Sequence, residues 1–169
     1  VSLKLIDENM RIMWSAGCHR GFYGPSIGRV SIVSSHLARQ ATGRVLDATL
    51  AIAVDSLYNF CDLELSLAEH QRSVSLLLPR EPVRVEGRVV THLNEVSEVS
   101  WFFDATAGNL SLQISSSPPK HWLELVESTF YLGIARGDRL GAIVFRGIEN
   151  DPEGELERTW LEQIEQGWY

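Results

Sequence analysis

A chain of 169 residues is long enough to bury a core of its own, and 44% apolar with 22% charged residues is the composition of a globular domain. Fifteen basic against twenty-two acidic residues leave a formal charge of -7. That balance argues against a nucleic-acid binder, which needs a basic stripe for the phosphates, and suits a protein that neutralises a basic partner. Cys18 and Cys61 are too few for a disulfide framework, and they are expected to be reduced thiols in or near a core. His19, His36, His70, His92 and His121 are scattered without metal-ligand spacing, so neither a metal nor another cofactor is expected. No apolar run reaches spanning length, and the N-terminus lacks the basic, apolar and small-residue regions of a signal peptide. The expectation is a cytoplasmic protein with no membrane span. Val1 stands where a Met would, and the expectation is that an upstream residue or segment has been removed or left out.

In chain order, residues 2–6 (SLKLI) and 10–15 (MRIMWS) read as short strands or one short helix. Residues 17–28, GCHRGFYGPSIG, hold four Gly and a Pro and predict an irregular loop. Its His19, Phe22 and Tyr23 either line a pocket or pin a turn to the core. Residues 29–34 (RVSIVS) alternate and read as a strand. The central expectation concerns residues 46–60, LDATLAIAVDSLYNF, which lack Gly and Pro and are apolar on nearly every face. Such a pattern predicts a buried helix, with Thr42 as its cap and Asp47 in its first turn. Asp55 falls in its middle, where a carboxylate must be paired, protonated or at work.

Past residue 60 the period changes to two, through residues 63–67, 74–78, 83–89, 99–103 and 110–114, with a turn at 107–109. Five alternating segments predict an antiparallel meander with one apolar face. Trp101, Phe102 and Phe103 are consecutive, so an aromatic is expected to face a second layer, which residues 120–132 could supply. Residues 115–119 (SSSPP) resemble a linker, 120–132 predict an amphipathic helix, 133–141 a solvated loop and 141–147 a strand. Residues 155–166 predict an acidic helix with Leu156, Trp160 and Ile164 on one stripe. The fold class expected is α+β: a curved antiparallel sheet wrapped around a central buried helix, with extra C-terminal helices. Residues 1–169 form one domain in this reading, 29–115 its core and 116–169 an extension.

This order of elements resembles the hotdog-fold acyl-CoA thioesterases. The likeness rests on Gln40, Gly43 and the run Leu46, Asp47, Ala48 ahead of the helix, with Asp55 at the position of the family's helix carboxylate. The later run 83–114 is similar to the family's paired strands, hairpin and closing strand. The resemblance implies hydrolysis or binding of an acyl thioester, acyl-CoA or carrier-bound, by a homodimer. In that scheme Asp55 activates water or attacks the carbonyl, Gln40 and Gly43 belong to the substrate pocket, and backbone N–H groups near Asp47 and Ala48 hold the oxyanion. The family's HisGlyGly is replaced here by Leu46, Asp47 and Ala48, and the side chains of Asp47 and Ala48 would crowd that approach. Arg80, Arg84 and Arg88 would lie on one strand face and meet coenzyme A phosphates, or form ion pairs with Glu81 and Glu86. The alternative from charge alone is a non-enzymatic acidic protein that neutralises or regulates a basic protein partner.

Overall fold

The computed structural model describes residues 4–5, 10–35, 42–45, 49–67, 77–93, 99–115, 118–127 and 129–167, with backbone alone for 4–5 and 42–45. Strands dominate them. The first half of the chain gives β1 (Lys4–Leu5), β2 (Met10–Ser15), β3 (His19–Gly24), β4 (Arg29–Ser34), β5 (Thr42–Val45), β6 (Leu50–Val54) and β7 (Phe60–Ser66). The second half gives β8 (Val83–Val85), β9 (Arg88–Leu93), β10 (Ser100–Asp104), β11 (Asn109–Gln113), β12 (His121–Leu125), β13 (Phe130–Ala135), β14 (Arg139–Phe145) and β15 (Glu149–Asn150). One α-helix occurs among the described residues, α1 (Glu155–Glu165).

Two sheets result. The first has the order β1-β5-β6-β7-β4-β3-β15; the second runs β10-β11-β14-β13-β12-β8, with β9 beside β14 and β2 beside β9. Most pairs are antiparallel, whereas β1/β5, β3/β15, β8/β12 and β9/β14 are parallel. Both sheets turn one face inward onto a shared cluster: Ile32, Ile52 and Leu63 come from the first, Leu112, Leu132 and Ile143 from the second. Each such side chain, fully buried, stabilises the fold by roughly 1.5–3 kcal/mol. At one end the cluster turns aromatic. Trp14 stacks on Phe60 at 4.6 Å, Phe130 approaches Trp14 at 5.3 Å, and the Trp14 indole N–H donates to Thr91 Oγ1 at 2.8 Å.

The buried central helix does not exist. Residues 50–54 are β6, 55–58 are a turn, and β7 follows from Phe60, while residues 46–48 lie outside the described residues. The reason is a hidden alternation. Leu50, Ile52 and Val54 are buried and Ala51 and Ala53 half-buried, a period of two that the apolar alanines disguise. β6 pairs with β7 from Leu50↔Leu65 to Val54↔Phe60, with a bulge after Ala53. An α+β fold with a sheet around a helix is therefore replaced by two sheets around a common apolar interior. The meander is corrected as well, because β7 belongs to the first sheet and β10 and β11 to the second. Among the described residues only the β10–β11 hairpin keeps the expected link, through a turn at 105–108; residues 74–76 of the expected second segment lie outside the described residues.

Residues 120–132 are not a helix either. They form β12, a turn where Glu127 has φ 66°, and the start of β13. They extend the sheet that holds Trp101 and Phe103 and provide no second layer for it. The glycine-rich loop at 17–28 contains β3, because Gly21 is needed inside a strand. A Cβ there would come within 2.8 Å of Ile148 Cγ1 and of the Phe145 ring, so only a bare backbone fits. Thr42, expected as a helix cap, opens β5. Residues 133–141 lie in β13, a single 3₁₀ turn and β14, not a loop. Among the later described elements α1 is the one α-helix. It lays Trp160 against Phe22 and Val33 on the outer face of the first sheet, leaving Leu156 40% exposed. The helix starts where Asp151, itself buried, accepts the N–H groups of Leu156 at 3.1 Å and Glu157 at 3.0 Å.

Candidate functional site

The aromatic end of the core opens into a cleft of about 340 Å³ lined by Ser15, His19, Ser34, Asp55, Asn59, Phe60 and Arg88. Each residue is delivered by the terminus of an element. Ser15 ends β2, opposite Arg88 at the start of β9, and His19 opens β3 opposite Ser34 at the end of β4. Asp55 and Asn59 close the β6–β7 turn, whose neighbouring bulge re-aims the chain beside the cleft.

Asp55 is the turn's anchor. Its Oδ1 accepts the N–H groups of Leu57 at 2.8 Å and Asn59 at 2.9 Å, and its Oδ2 accepts the Asn59 side-chain amide at 2.9 Å. Its backbone also receives Tyr58 N–H at 3.0 Å and donates to Asn59 at 3.0 Å, while Tyr58 takes φ 66°. An aspartate saturated by its own loop in this way is a turn-former first. Burial alone would raise its pKa, but the hydrogen bonds from the Asn59 side chain, the Asn59 backbone and the Leu57 backbone outweigh burial and bring it below 3.8. So acidified, it is a weak proton acceptor at neutral pH.

His19 is better placed for proton chemistry. It is buried, with its ring 5.3 Å from Phe130 and 5.9 Å from Phe60, and its Nδ1 lies 3.2 Å from the Gly17 carbonyl. That carbonyl accepts only from an Nδ1–H, which leaves Nε2 of the neutral ring as an acceptor. Arg88 is exposed and makes no ion pair among the described residues, where its guanidinium lies 4.0 Å from the Met13 sulfur. The cleft thus combines one cation, an imidazole, two hydroxyls, an amide and a locked carboxylate above an aromatic floor.

The expected site comes together only in part. Asp55 lines the cleft, but on a hairpin turn in place of a helix. Gly43 sits in β5 opposite Ala53. Gln40, Asp47 and Ala48 lie outside the described residues. Arg88 does line the cleft, whereas Arg84 is on β8 and Gly87, at φ 120°, turns the chain between them, so the three arginines do not share one strand face. Ser15, Ser34 and Asn59 were not singled out in the sequence; their signal is position at strand ends, which appears only once the strands are known.

A second polar cluster lies under α1. Arg29 reaches Glu157 at 3.4 Å and Glu64 at 3.7 Å, and Asp62 stands on the same outer face one strand pair away. Burial, then the Glu64 and Glu157 charges, push the Asp62 carboxyl up to about 6, with Arg29 acting against them. Glu157 is also raised, first by burial, despite Arg29 and a Ser31 hydrogen bond. Cys18 borders this seam, and burial raises its thiol pKa, so it is not an activated nucleophile. Neither a family model nor a curated protein matches the chain. Among the described residues no helix is long and apolar enough to cross a membrane. The architecture and the clefts therefore carry the functional argument.

Proposed function

We propose that the protein binds a small anionic molecule in the end cleft, with Arg88 as the counter-charge and His19, Ser15 and Ser34 as directional hydrogen-bonding groups. The observation that carries this reading is the convergence of five chain segments on one cleft of about 340 Å³. That size falls in the ~300–1,000 Å³ range of small-molecule sites, which typically pair an apolar floor with a few placed polar groups. Phe60 is such a floor.

An acyl thioester of coenzyme A fits this chemistry, its phosphates toward Arg88 and its acyl part toward Phe60. Hydrolysis is the finer claim, and it moves the base from Asp55 to His19, because Asp55 is committed to its turn. Acetyl-CoA is the probe. Calorimetry is expected to register binding that Arg88→Gln weakens on the order of tenfold, a loss typical of one charge-assisted contact. Release of free thiol that vanishes in His19→Gln assigns hydrolysis; binding without release leaves a binding protein. Absence of binding removes the thioester. The homodimer implied by the family likeness belongs to this reading, with sizing in solution as its test.

A second reading, an acidic face for a basic protein, draws on the seam around α1. Residues 149–165 hold seven carboxylates and a single arginine, Arg158, beside Asp62 and Glu64. A poly-lysine probe should bind at low salt and be released by salt and by Glu64→Lys with Glu157→Lys. The end cleft is preferred because its groups are directional, whereas an exposed charged face is screened within about 8 Å at physiological salt.

A further inference from the structure

The β2–β9 ribbon has two ends. Ser15 and Arg88 mark the one at the cleft described above; Met10 and Leu93 mark the other, where His92 pairs with Arg139 of β14. Beside that far end lies a different cleft, about 420 Å³, lined by Ser115, Pro118, Pro119, Lys120, Ala135, Arg136 and Arg139. Among the described residues it shares no wall residue with the first. Counting from Arg88 to His92, roughly 13 Å of strand separates the two.

Its lining runs against the composition of the chain. In a protein with formal charge -7, the described walls of this cleft hold three cationic side chains, and no carboxylate is among the described residues that line it. Asp138 sits on the adjoining turn, at φ 56°, and is not among the wall residues. The walls are also fixed in advance. Pro119 is seated over Gly133, where a Cβ would come within 2.7 Å of its ring, so the proline occupies the space a side chain would need. Lys120 N–H donates to the Ile134 carbonyl at 2.8 Å, and Ser115 N–H to the Gly141 carbonyl at 3.1 Å. The cations thus project from backbone already held in register, which lowers the ordering cost of binding.

We propose that this far cleft binds a small phosphate-bearing anion. The Arg136 guanidinium can pair two-to-two with phosphate oxygens, and Lys120 adds a point charge. The proline and alanine walls offer apolar contact to whatever carries the phosphate. A long polyanion such as nucleic acid is disfavoured, because beyond the cleft it would meet a surface of net negative charge.

Calorimetric titration of the full chain with inorganic pyrophosphate tests this, with orthophosphate and sulfate at equal ionic strength alongside. One-to-one binding of pyrophosphate is expected, tighter than sulfate, and weakened on the order of tenfold by either Lys120→Gln or Arg136→Gln. The titrations are run in an Arg88→Gln background, which removes anion binding at the end cleft, so that the one site read is the far one. Both tested side chains are exposed, so the variants should fold, and circular dichroism verifies it; should one fail, the other carries the test. Absence of pyrophosphate binding, sulfate binding as tight as pyrophosphate, or affinity unaltered in the two variants would overturn the proposal.

Discussion

Asp55 and Asp62 stand on either side of the same strand start, yet their surroundings push them in opposite directions. At the β6–β7 turn, hydrogen bonds from the Asn59 side chain and the Asn59 and Leu57 backbone outweigh burial and acidify Asp55. Beneath α1, burial and two neighbouring carboxylates raise Asp62 to about 6, against a single arginine. The difference teaches what each region is for. The turn spends its carboxylate on holding its own backbone, which fixes one rim of the end cleft. The seam keeps more negative charge than Arg29 can balance and tolerates it because Trp160 and its neighbours pack there.

The largest effect should come from breaking the seam. Trp160 is buried on Phe22 and Val33, and its indole N–H donates to the Val33 carbonyl at 3.3 Å. Trp160→Ala should cost about 3–5 kcal/mol in denaturant unfolding. In whatever native protein survives, Asp62 should titrate closer to 3.8, since its burial depends on the helix above it.

Next in size is Asp55→Ala. Loss of three charge-assisted hydrogen bonds at one turn should destabilise by about 2–3 kcal/mol, with Asp55→Asn intermediate because one acceptor oxygen persists. The pH dependence carries a definite sign. A carboxylate with a lowered folded pKa contributes stability that is present above 3.8 and lost as pH falls through the folded value. Asp55→Ala should therefore remove part of the protein's acid sensitivity.

Asp62→Asn should act in reverse and more weakly. Because the folded carboxyl titrates near 6 and the unfolded one near 3.8, the folded state binds the extra proton in that window, and stability falls as pH rises through it. Replacing Asp62 should stabilise the protein by about 1–2 kcal/mol at pH 7, after discounting for its partial exposure, and by next to nothing at about pH 3, below both pKa values. Matched melts at the two pH values measure it. A loss of stability at pH 7 would mean that Asp62 is paired and not strained.

How far these regions are legible in the sequence follows from the signals they leave. Strand β4, the β10–β11 hairpin and α1 are visible because alternation, turn residues and a 3.6-residue stripe each point one way. Residues 50–60 mislead for a physical reason: Ala51 and Ala53 are small enough for a half-buried strand face yet count as apolar, so a two-residue period looks like a greasy helix. The turn signal was present, in Asp55 and Asn59 four residues apart, but it is local chemistry that hydropathy does not register. The 120–132 segment shows the same ambiguity, since Trp122 and Leu125, both buried, satisfy a helical spacing and a strand with neighbours on both faces. Of the end cleft, Asp55, Arg88 and His19 had reasons to be noticed. Ser15, Ser34 and Asn59 become site residues only through strand pairings that no local pattern encodes.

The most direct measurement is the NMR titration of the side-chain carboxyl carbons of Asp55 and Asp62 in the intact chain. The account predicts a midpoint below 3.8 for Asp55 and one near 6 for Asp62. An Asp55 midpoint at or above that of Asp62 would mean that the turn does not bind its own carboxylate, and would restore Asp55 as a candidate base.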